Sequence, residues 1–204
     1  MNERFIVFEG GEGSGKSTVA AAVVDRLRAD GLDVVHTREP GGTTAGEAVR
    51  GLLHLQLAPW AEAFAFLVAR AQVVAEVIRP ALERGTAVIC DRYEASFLAY
   101  QGYGRGLDVD SLRTANEIAT GGLRPGLTVF LDLDPAVGLA RKRGEAESIR
   151  IGLETLEFHN RVRQGYLSLM AGAPPGSWVT LDAAESVGKV VEAASSAVRA
   201  ALGR

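Results

Sequence analysis

Short apolar runs alternate along the chain with longer stretches that have helical periodicity. The helical stretches separate the runs, and runs without polar alternation are typical of parallel strands buried on both faces of a sheet. The pattern therefore predicts a three-layer α/β fold, with a five-stranded parallel sheet flanked by helices. The predicted strands are Phe5–Phe8, Val34–His36, Val88–Cys90, Val129–Leu133 and Trp178–Leu181.

The polar residues between these runs also predict where helices begin and end. Gly31 follows the first helical stretch and is expected to terminate it. Thr44 and Glu47 have the spacing of a capping box that opens a helix toward Leu55. A last helix is expected to dock on the sheet through a stripe of apolar residues, namely Val187, Val190, Val191, Ala194, Val198 and Leu202.

A glycine-rich segment follows the first predicted strand and precedes the first helix. It fits the pattern G-x-x-x-x-G-K-(S/T) in the context that a phosphate-binding loop requires. The backbone N–H groups of such a loop and the helix N-terminus bind one anion together. We expect Lys16 to reach the outer phosphates and the Ser17 hydroxyl to take a Mg²⁺ position. The segment consists of Gly10, Gly11, Glu12, Gly13, Ser14, Gly15, Lys16 and Ser17.

Composition limits the class of protein. With 204 residues, 47% hydrophobic and 23% charged, the chain is expected to form a single soluble domain over 1–204. A net charge of −3 gives no reason to expect a nucleic-acid partner. The apolar stretch 64–82 is interrupted by charges, and the N-terminus has no signal-peptide pattern, so no membrane association is expected. Cys90 is the only cysteine, which suits a cytoplasmic, reducing environment and a buried packing role.

Charged residues follow two of the predicted strands where the strands end. Arg38 comes after the second strand, and Asp91 and Arg92 come directly after the third. Phe66 and Arg70, four residues apart, share one face of the helix between them. Because arginine binds phosphate through two hydrogen bonds, the three arginines predict a second phosphate site, although each one alone could be a solvated surface charge. We expect Asp91 to help hold Mg²⁺, with a capping role as the alternative.

A basic segment lies further along the chain, with Arg141, Lys142 and Arg143 followed by Arg150. It is interpreted as a lid over roughly 141–152 that closes over phosphates and stabilises the transferring group. The same residues could equally form a solvated helix face. Two phosphate sites together predict a kinase that acts on a small phosphorylated acceptor, and Phe66 indicates that this acceptor carries a ring.

The chain resembles bacterial thymidylate kinases over nearly its whole length. The resemblance implies a P-loop nucleoside monophosphate kinase fold, transfer of the terminal phosphoryl group of ATP to dTMP for dTTP synthesis, and a homodimer formed through helices. Besides the segment 8–17, the matching segments are Thr37–Thr43, Glu62–Gln72, Asp91–Arg105, Val129–Pro135 and Phe158–Arg163.

The resemblance also implies roles for individual residues around the base. Phe66 is expected to stack on thymine, while Arg70, Ser96 and Gln101 bind the polar edge of the ring. A stacked ring with hydrogen-bonded edges selects one base, because a wrong base leaves buried polar groups unpaired.

On the sugar and phosphate side, the resemblance assigns Arg38 and Arg92 to the acceptor phosphate. Glu12 is expected to meet the 3′-hydroxyl, and Tyr100 to crowd the 2′ position so that ribose fits badly. The phosphate loop has Gly13 and Ser14 where some family members carry an arginine. The catalytic cation is therefore expected from the lid, from Arg141, Arg143 or Arg150. Arg141 is also expected to contact ATP, and Lys16, Asp91 and Arg92 are the other expected catalytic residues.

The alternatives are other kinases and, from another class, a nucleotide-dependent switch. A deoxynucleoside kinase, or another nucleoside monophosphate kinase, shares the glycine loop; the former would use Glu39 as a base, but it would have no use for three arginines at an acceptor phosphate. A nucleotide-dependent switch or regulator would have no use for a second phosphate site, and the sequence contains no N-K-x-D segment for guanine. A catalytically dead sensor is disfavoured because Lys16, Ser17 and Asp91 are all present.

Overall fold

The structure, a computed structural model, describes residues 1–142 and 154–203. Within them, five parallel strands form one sheet in the order β2-β3-β1-β4-β5. The predicted fold class is confirmed, and every predicted strand lies within an observed one except for Leu133, which follows β4. The strands are β1 (Asn2–Gly10), β2 (Val34–Arg38), β3 (Ala87–Asp91), β4 (Pro125–Asp132) and β5 (Trp178–Asp182).

Helices connect the strands and cover both faces of the sheet. Two of the connections contain π-helical turns, at Val74–Ile78 between α3 and α4 and at Leu98–Gly104 after α5. The described helices are α1 (Lys16–Ala29), α2 (Thr44–Leu52), α3 (Pro59–Val73), α4 (Arg79–Glu83), α5 (Glu94–Phe97), α6 (Val109–Thr120), α7 (Pro135–Lys142), α8 (Leu156–Ala171) and α9 (Val187–Ala201).

The central strand β1 contributes to both layers of the core. Its side chains alternate, so Ile6 and Phe8 pack toward α1 and α9, while Phe5 and Val7 pack toward the segment around Val73 and Ile78. All four are completely or almost completely buried. A strand covered on both faces has no polar alternation, which explains the uninterrupted apolar run Phe5–Phe8 within β1.

The strand order places a crevice at the carboxyl ends of the central strands. The chain leaves β1 toward β2 on one side of the sheet and leaves β4 toward β5 on the other. Ligands in open α/β sheets bind where such connections diverge. The glycine-rich segment follows β1 at this point, and Asp91 ends the neighbouring strand β3.

Helix ends follow the predictions in part. Gly31 follows the cap of α1 with a φ of 82°, as predicted. The predicted cap of α2 is wrong by one residue, because the Thr43 side chain, not that of Thr44, accepts the hydrogen bond from the Gly46 N–H. Glu47 accepts from the Gly42 N–H instead, and α2 ends at Leu52.

Burial of three further features matches their prediction or corrects it. Cys90 is completely buried in β3, as predicted. The α9 stripe is buried from Val190 to Val198 and Leu202 is partly buried against the same core, but Val187, the first residue of the helix, is exposed. No helix within 1–142 or 154–203 is long and apolar enough to cross a membrane.

Candidate active site

The glycine-rich loop joins β1 to α1 and directs the start of that helix into the crevice. Gly15 caps α1 with a φ of 79°, and Lys16 is the first helical residue. The Lys16 ammonium donates to the Gly11 carbonyl at 3.3 Å and is largely buried. Burial, reinforced by the nearby Arg92, lowers the pKa of Lys16 to about 8, although Glu12 and Asp91 oppose the shift. The loop therefore presents one desolvated cation beside the helix N-terminus.

Ser17 and Asp91 meet beside this loop. The Ser17 hydroxyl donates to one carboxylate oxygen of Asp91, although the residues lie 74 positions apart. The other carboxylate oxygen, Oδ1, is buried and has no hydrogen-bond partner among the described residues. A buried acceptor without a partner beside a hydroxyl suits Mg²⁺, which takes oxygen ligands and needs few from the protein when phosphates and water supply the rest.

A cavity adjoins the loop and gathers most of the residues predicted to bind the acceptor. Seven of the eight lie on its wall, together with three that the sequence analysis did not assign to the acceptor. The seven are Glu12, Phe66, Arg70, Arg92, Ser96, Tyr100 and Gln101, and the additional three are Glu39, Pro40 and Phe97.

Arg92 connects the cavity to the glycine loop. Its guanidinium donates to the Gly10 carbonyl at 3.1 Å and to the Glu12 carboxylate at 2.8 Å. It also donates to the Ser96 hydroxyl at 3.0 Å and lies over the Tyr100 ring. The backbone φ of Arg92 is 70°, a region that costs a residue with a side chain about 1–3 kcal/mol and is concentrated at functional sites.

Glu12 belongs both to the glycine loop and to the cavity wall. Its carboxylate is paired with Arg92 and, at 2.7 Å, with the Lys142 ammonium, and it accepts from the Tyr100 hydroxyl at 3.2 Å. Burial alone would raise the pKa of Glu12, but Arg92, Lys16 and Lys142 together outweigh it and hold the pKa well below its usual value. One carboxylate thus gathers three cations between the two sites.

Arg70 lies at the base of the cavity and is almost completely buried. It donates to Glu39 at 2.6 Å, to Asn116 at 3.0 Å and to the Tyr93 carbonyl at 2.9 Å. Each guanidinium nitrogen therefore has a protein partner, which fixes the plane of the group. Burial outweighs the effect of Arg70 on its partner and raises the pKa of Glu39.

Arg38 is the one predicted acceptor residue that does not line the cavity. It ends β2 beside Asp91 in the sheet register, but its side chain is 57% exposed and paired with Glu47 at 3.1 Å. The expected convergence of Arg38 with Arg70 and Arg92 is therefore absent from the described geometry, because Glu47 at the start of α2 holds the Arg38 guanidinium.

Two buried residues that the sequence analysis did not select support the site from beneath. Glu9 accepts from the backbone N–H groups of Tyr93 and Ser96 and from the hydroxyls of Ser96 and Tyr166. Burial raises the pKa of Glu9 even though Ser96 and Arg92 oppose it. A charged residue inside an apolar strand was the available signal for Glu9, whereas nothing in the pattern of α8 singles out Tyr166.

The basic segment is described only in part. Arg141, near the end of α7, donates to the Ala183 carbonyl at 3.0 Å and to the Gly13 carbonyl at 3.4 Å, so it touches the glycine loop. Lys142 contacts Glu12, a contact that was not expected because the whole basic segment was interpreted as a lid over the phosphates. Arg143, Arg150 and the rest of the expected lid lie outside the described residues.

The arrangement of the loop and the cavity defines a class of protein. The glycine loop can hold one anion, the cavity carries an arginine for a second, and Glu12 and Arg92 border both, so a phosphoryl group has a short path between two ligands. These are the features of a P-loop kinase that acts on a small phosphorylated acceptor.

Known proteins narrow this class to a family. The family model described as thymidylate kinase matches residues 8–194. Thymidylate kinase from Solidesulfovibrio magneticus is 50% identical over 201 residues, covering 93% of this chain and 95% of the relative. Thymidylate kinase from Deinococcus radiodurans is 51% identical over 182 residues, covering 88% of each chain.

A solved structure gives the same result for the fold. The crystal structure of thymidylate kinase from Ehrlichia chaffeensis superposes with a TM-score of 0.78 at 30% identity, covering 96% of this chain and 97% of that one. The chain belongs to the thymidylate kinase family, whose members phosphorylate dTMP to dTDP. The resemblance stated from the sequence is confirmed.

Proposed function

We propose that this chain transfers the terminal phosphoryl group of ATP to dTMP with Mg²⁺, from a single domain that carries both nucleotide sites. The observation that carries the proposal is the shared position of Glu12, which lies within the phosphate-binding loop and also lines the acceptor cavity. A donor on the loop and an acceptor in the cavity would meet across this residue. Positioning of this kind supplies much of the catalysis in phosphoryl transfer.

The cavity wall supports thymine as the base. Phe66 offers a ring face beside Arg70, whose fixed guanidinium can donate to a carbonyl oxygen. Gln101 offers an amide, and its Oε1 is buried without a hydrogen-bond partner among the described residues. Thymine presents a carbonyl oxygen next to a ring N–H. The oxygen matches Arg70 as a donor, and the N–H matches the Gln101 Oε1 as an acceptor. Ser96 reaches the same wall but shares its hydroxyl with Glu9 and Arg92.

The sugar and phosphate of the acceptor are assigned to the opposite part of the wall. Arg92 lines the cavity and also donates to the Gly10 carbonyl of the glycine loop, so it is proposed to hold the acceptor phosphate. Tyr100 is held against Arg92 and Glu12, which supports its role in crowding the 2′ position. Glu12 would accept from the 3′-hydroxyl once it exchanges Lys142 for the ligand. Arg38 can join the phosphate only by releasing Glu47.

On the donor side, the glycine loop from Gly10 to Ser17 would bind the ATP phosphates, with Lys16 on the outer ones. Ser17 and Asp91 would hold Mg²⁺, which when bound neutralises charge on the phosphates. Arg141 would contact ATP from α7. Arg143 and Arg150 remain proposals from the sequence as the catalytic cations of a lid.

An ADP-release assay across the common nucleoside monophosphates tests this function. We expect dTMP to support turnover, dUMP to support less, and the purine nucleotides to support almost none. Turnover should require both Mg²⁺ and dTMP, and Lys16→Ala should lower it at least about 100-fold, as loss of a transition-state donor does. Equal turnover with dAMP or dGMP would contradict the proposal.

The same assay with thymidine in place of dTMP distinguishes the deoxynucleoside kinase alternative. In such an enzyme Glu39 would act as the base, but here its carboxylate is paired with Arg70 at 2.6 Å. A neutral nucleoside would also leave Arg92 without a phosphate to bind. Turnover with thymidine at a rate similar to that with dTMP would favour the alternative.

The family resemblance further suggests a homodimer, and one surface supports it. Trp60, Phe64 and Val68 form an exposed apolar stripe along α3, on the side away from Phe66 and Arg70. A second copy of this chain would bury that stripe. A cytoplasmic location is also proposed, in keeping with the single, buried Cys90.

A further inference from the structure

Gln101 is the one amide on the wall of the acceptor cavity, and its side chain is completely buried. Its Nε2 donates to the Glu62 carboxylate at 2.9 Å. Its Oε1 has no hydrogen-bond partner among the described residues. An amide can rotate by a half-turn and exchange its donor for its acceptor, so its contribution to recognition depends on what holds it.

Glu62 is held as an acceptor by a second set of contacts. Arg105 donates to both of its carboxylate oxygens, at 3.0 Å and 3.1 Å, and to Glu154 at 2.7 Å. The Glu62 side chain is only 7% exposed, so water cannot easily replace these partners. An ionised carboxylate has no proton to donate. Only the Nε2 of Gln101 can therefore face Glu62, and the Oε1 must face away from it.

We propose that Glu62 is a positioning residue that sets base specificity by fixing the Gln101 amide with its oxygen available to the base. This inference rests on the function proposed above and adds a determinant behind the wall of the cavity. Gln101 then presents an acceptor and Arg70 presents only donors. Thymine and uracil, with a ring N–H beside a carbonyl oxygen, complement that pair.

Cytosine has the reversed pattern, with an unprotonated ring nitrogen beside an amino group. Both of its polar groups would then face groups of the same kind, and each would be buried without a partner. If Gln101 were free to turn, its Nε2 could donate to the cytosine ring nitrogen, and half of this discrimination would be lost. The Glu62 carboxylate prevents that turn.

Glu62→Gln tests the proposal, because the new amide can donate to the Oε1 of Gln101 and can still accept from Arg105. The measurement is kcat/KM for dTMP, dUMP and dCMP. We expect the ratio of dTMP to dCMP to fall about tenfold. The ratio of dTMP to dUMP should stay within about twofold, because these bases share the same polar edge. An unchanged dTMP to dCMP ratio in the folded variant would overturn the proposal.

Glu154→Gln is the matched control. It removes the same charge from the same arginine but makes no contact with Gln101, so we expect it to leave the dTMP to dCMP ratio unchanged. A fall equal to that of Glu62→Gln would mean that the Arg105 charge balance, not the amide orientation, sets specificity. The exchange Glu62→Gln with Gln101→Glu restores an acceptor to the cavity and should recover most of the dTMP to dCMP ratio.

A crystal structure of the unaltered protein with dTMP tests the proposal without any variant. We expect the thymine ring nitrogen within hydrogen-bond distance of the Gln101 side chain while Gln101 stays on Glu62. A structure in which Gln101 has left Glu62 to bind the base would overturn the proposal. These outcomes are separable from failure of the proposed function, since an unaltered protein that does not turn over dTMP contradicts that function before any ratio is measured.

Discussion

At the scale of single residues, the surroundings of Lys16 predict a pH dependence. Burial and Arg92 lower the pKa of Lys16 to about 8, so the free protein loses this cation as the pH rises through 8. Bound phosphates would favour the charged form and would hold the proton in the complex. We therefore expect kcat/KM for ATP, which reports on the free enzyme, to fall above pH 8, while kcat changes much less over that range.

Lys16→Arg is the control for this prediction, because guanidinium stays protonated throughout the range. Its kcat/KM for ATP should be lower overall but should not fall between pH 8 and 9.5 beyond any change in the substrates themselves. The same pKa shift acts on stability with the opposite sign. Between pH 8 and the ordinary lysine pKa of 10.5 the unfolded chain binds more protons, so Lys16 makes the free energy of unfolding rise with pH there.

Glu12 predicts an effect at acid pH. Its pKa is held below the usual value because Arg92, Lys16 and Lys142 outweigh burial, so its stabilising contribution is complete above about pH 4.5 and is lost as the pH falls toward the folded-state pKa. Glu12→Gln should lower the free energy of unfolding by about 2–3 kcal/mol at pH 7, as loss of a buried charged hydrogen bond does. Urea unfolding at pH 7 and pH 3 measures the difference, which should shrink at pH 3.

A surface pair provides the comparison for Glu12. Glu185 lies four residues before Lys189 on an exposed face, and Glu185→Gln should change stability by less than about 0.5 kcal/mol at either pH. If Glu12→Gln behaves like Glu185→Gln, then the three cations around Glu12 are not coupled to it in solution.

The sequence allowed part of this site to be predicted residue by residue. Asp91 and Arg92 follow a buried strand directly, so their position at the edge of the sheet needs only the strand assignment. Arg38 follows a strand in the same way, yet Glu47 holds its side chain outside the cavity. Tyr166 reaches the site from α8, far along the chain. Such a contact depends on tertiary packing that no local pattern encodes.

At the scale of elements, strands were easier to predict than helix ends. β1 and β3 are buried on both faces, and the resulting apolar runs are unambiguous. At the start of α2, Thr43 and Thr44 are equally good caps by chemistry. Thr43 is the cap because its backbone is extended, with φ −143° and ψ 162°, a choice made by the path of the preceding loop and not by residue type.

Helix α7 packs its backbone directly on the glycine loop, and this contact predicts the effect of one methyl group. A Cβ on Gly138 would lie 2.1 Å from the Glu12 carbonyl oxygen, and one on Gly13 would lie 2.1 Å from the Gly138 carbonyl oxygen. Gly138→Ala should therefore displace the loop from α7, raise KM for ATP and lower stability by about 1–3 kcal/mol. Thermal unfolding and steady-state kinetics measure the two effects.

Gly188→Ala in α9 is the matched control, because a Cβ at that position meets nothing within 4 Å. Alanine favours a helix over glycine, so this variant should be stabilised by up to about 1 kcal/mol and should keep its KM for ATP. An unchanged KM for ATP in Gly138→Ala would show that the loop adapts to α7 without loss of its phosphate-binding geometry.

At the scale of the whole molecule, the sheet brings residues from distant segments to one edge. Glu12, Arg70, Arg92 and Gln101 come from three different connections between strands, and each is held by buried partners and not by the cavity alone. The buried pairs behind the wall fix donors and acceptors before a ligand arrives, which reduces the cost of ordering them on binding. On the opposite side of α3, the apolar stripe of Trp60, Phe64 and Val68 stays exposed.

That uncovered surface predicts the oligomeric state. Trp60 is 37% exposed and Phe64 and Val68 are each 55% exposed, one turn apart along α3. Phe64→Glu would place a charge in the centre of a contact between two copies, where it could not be hydrated. We expect sedimentation equilibrium to give a mass of two chains for the unaltered protein and one for this variant.

Val187→Glu tests whether any new surface charge has the same effect, since Val187 is at least as exposed as Phe64 but lies on α9. That variant should remain dimeric. Because Phe66 and Arg70 project from the other side of α3, separation of the two copies should also loosen the acceptor wall and raise KM for dTMP more than KM for ATP. A single-chain mass for the unaltered protein would contradict the dimer and would leave the α3 stripe to another partner.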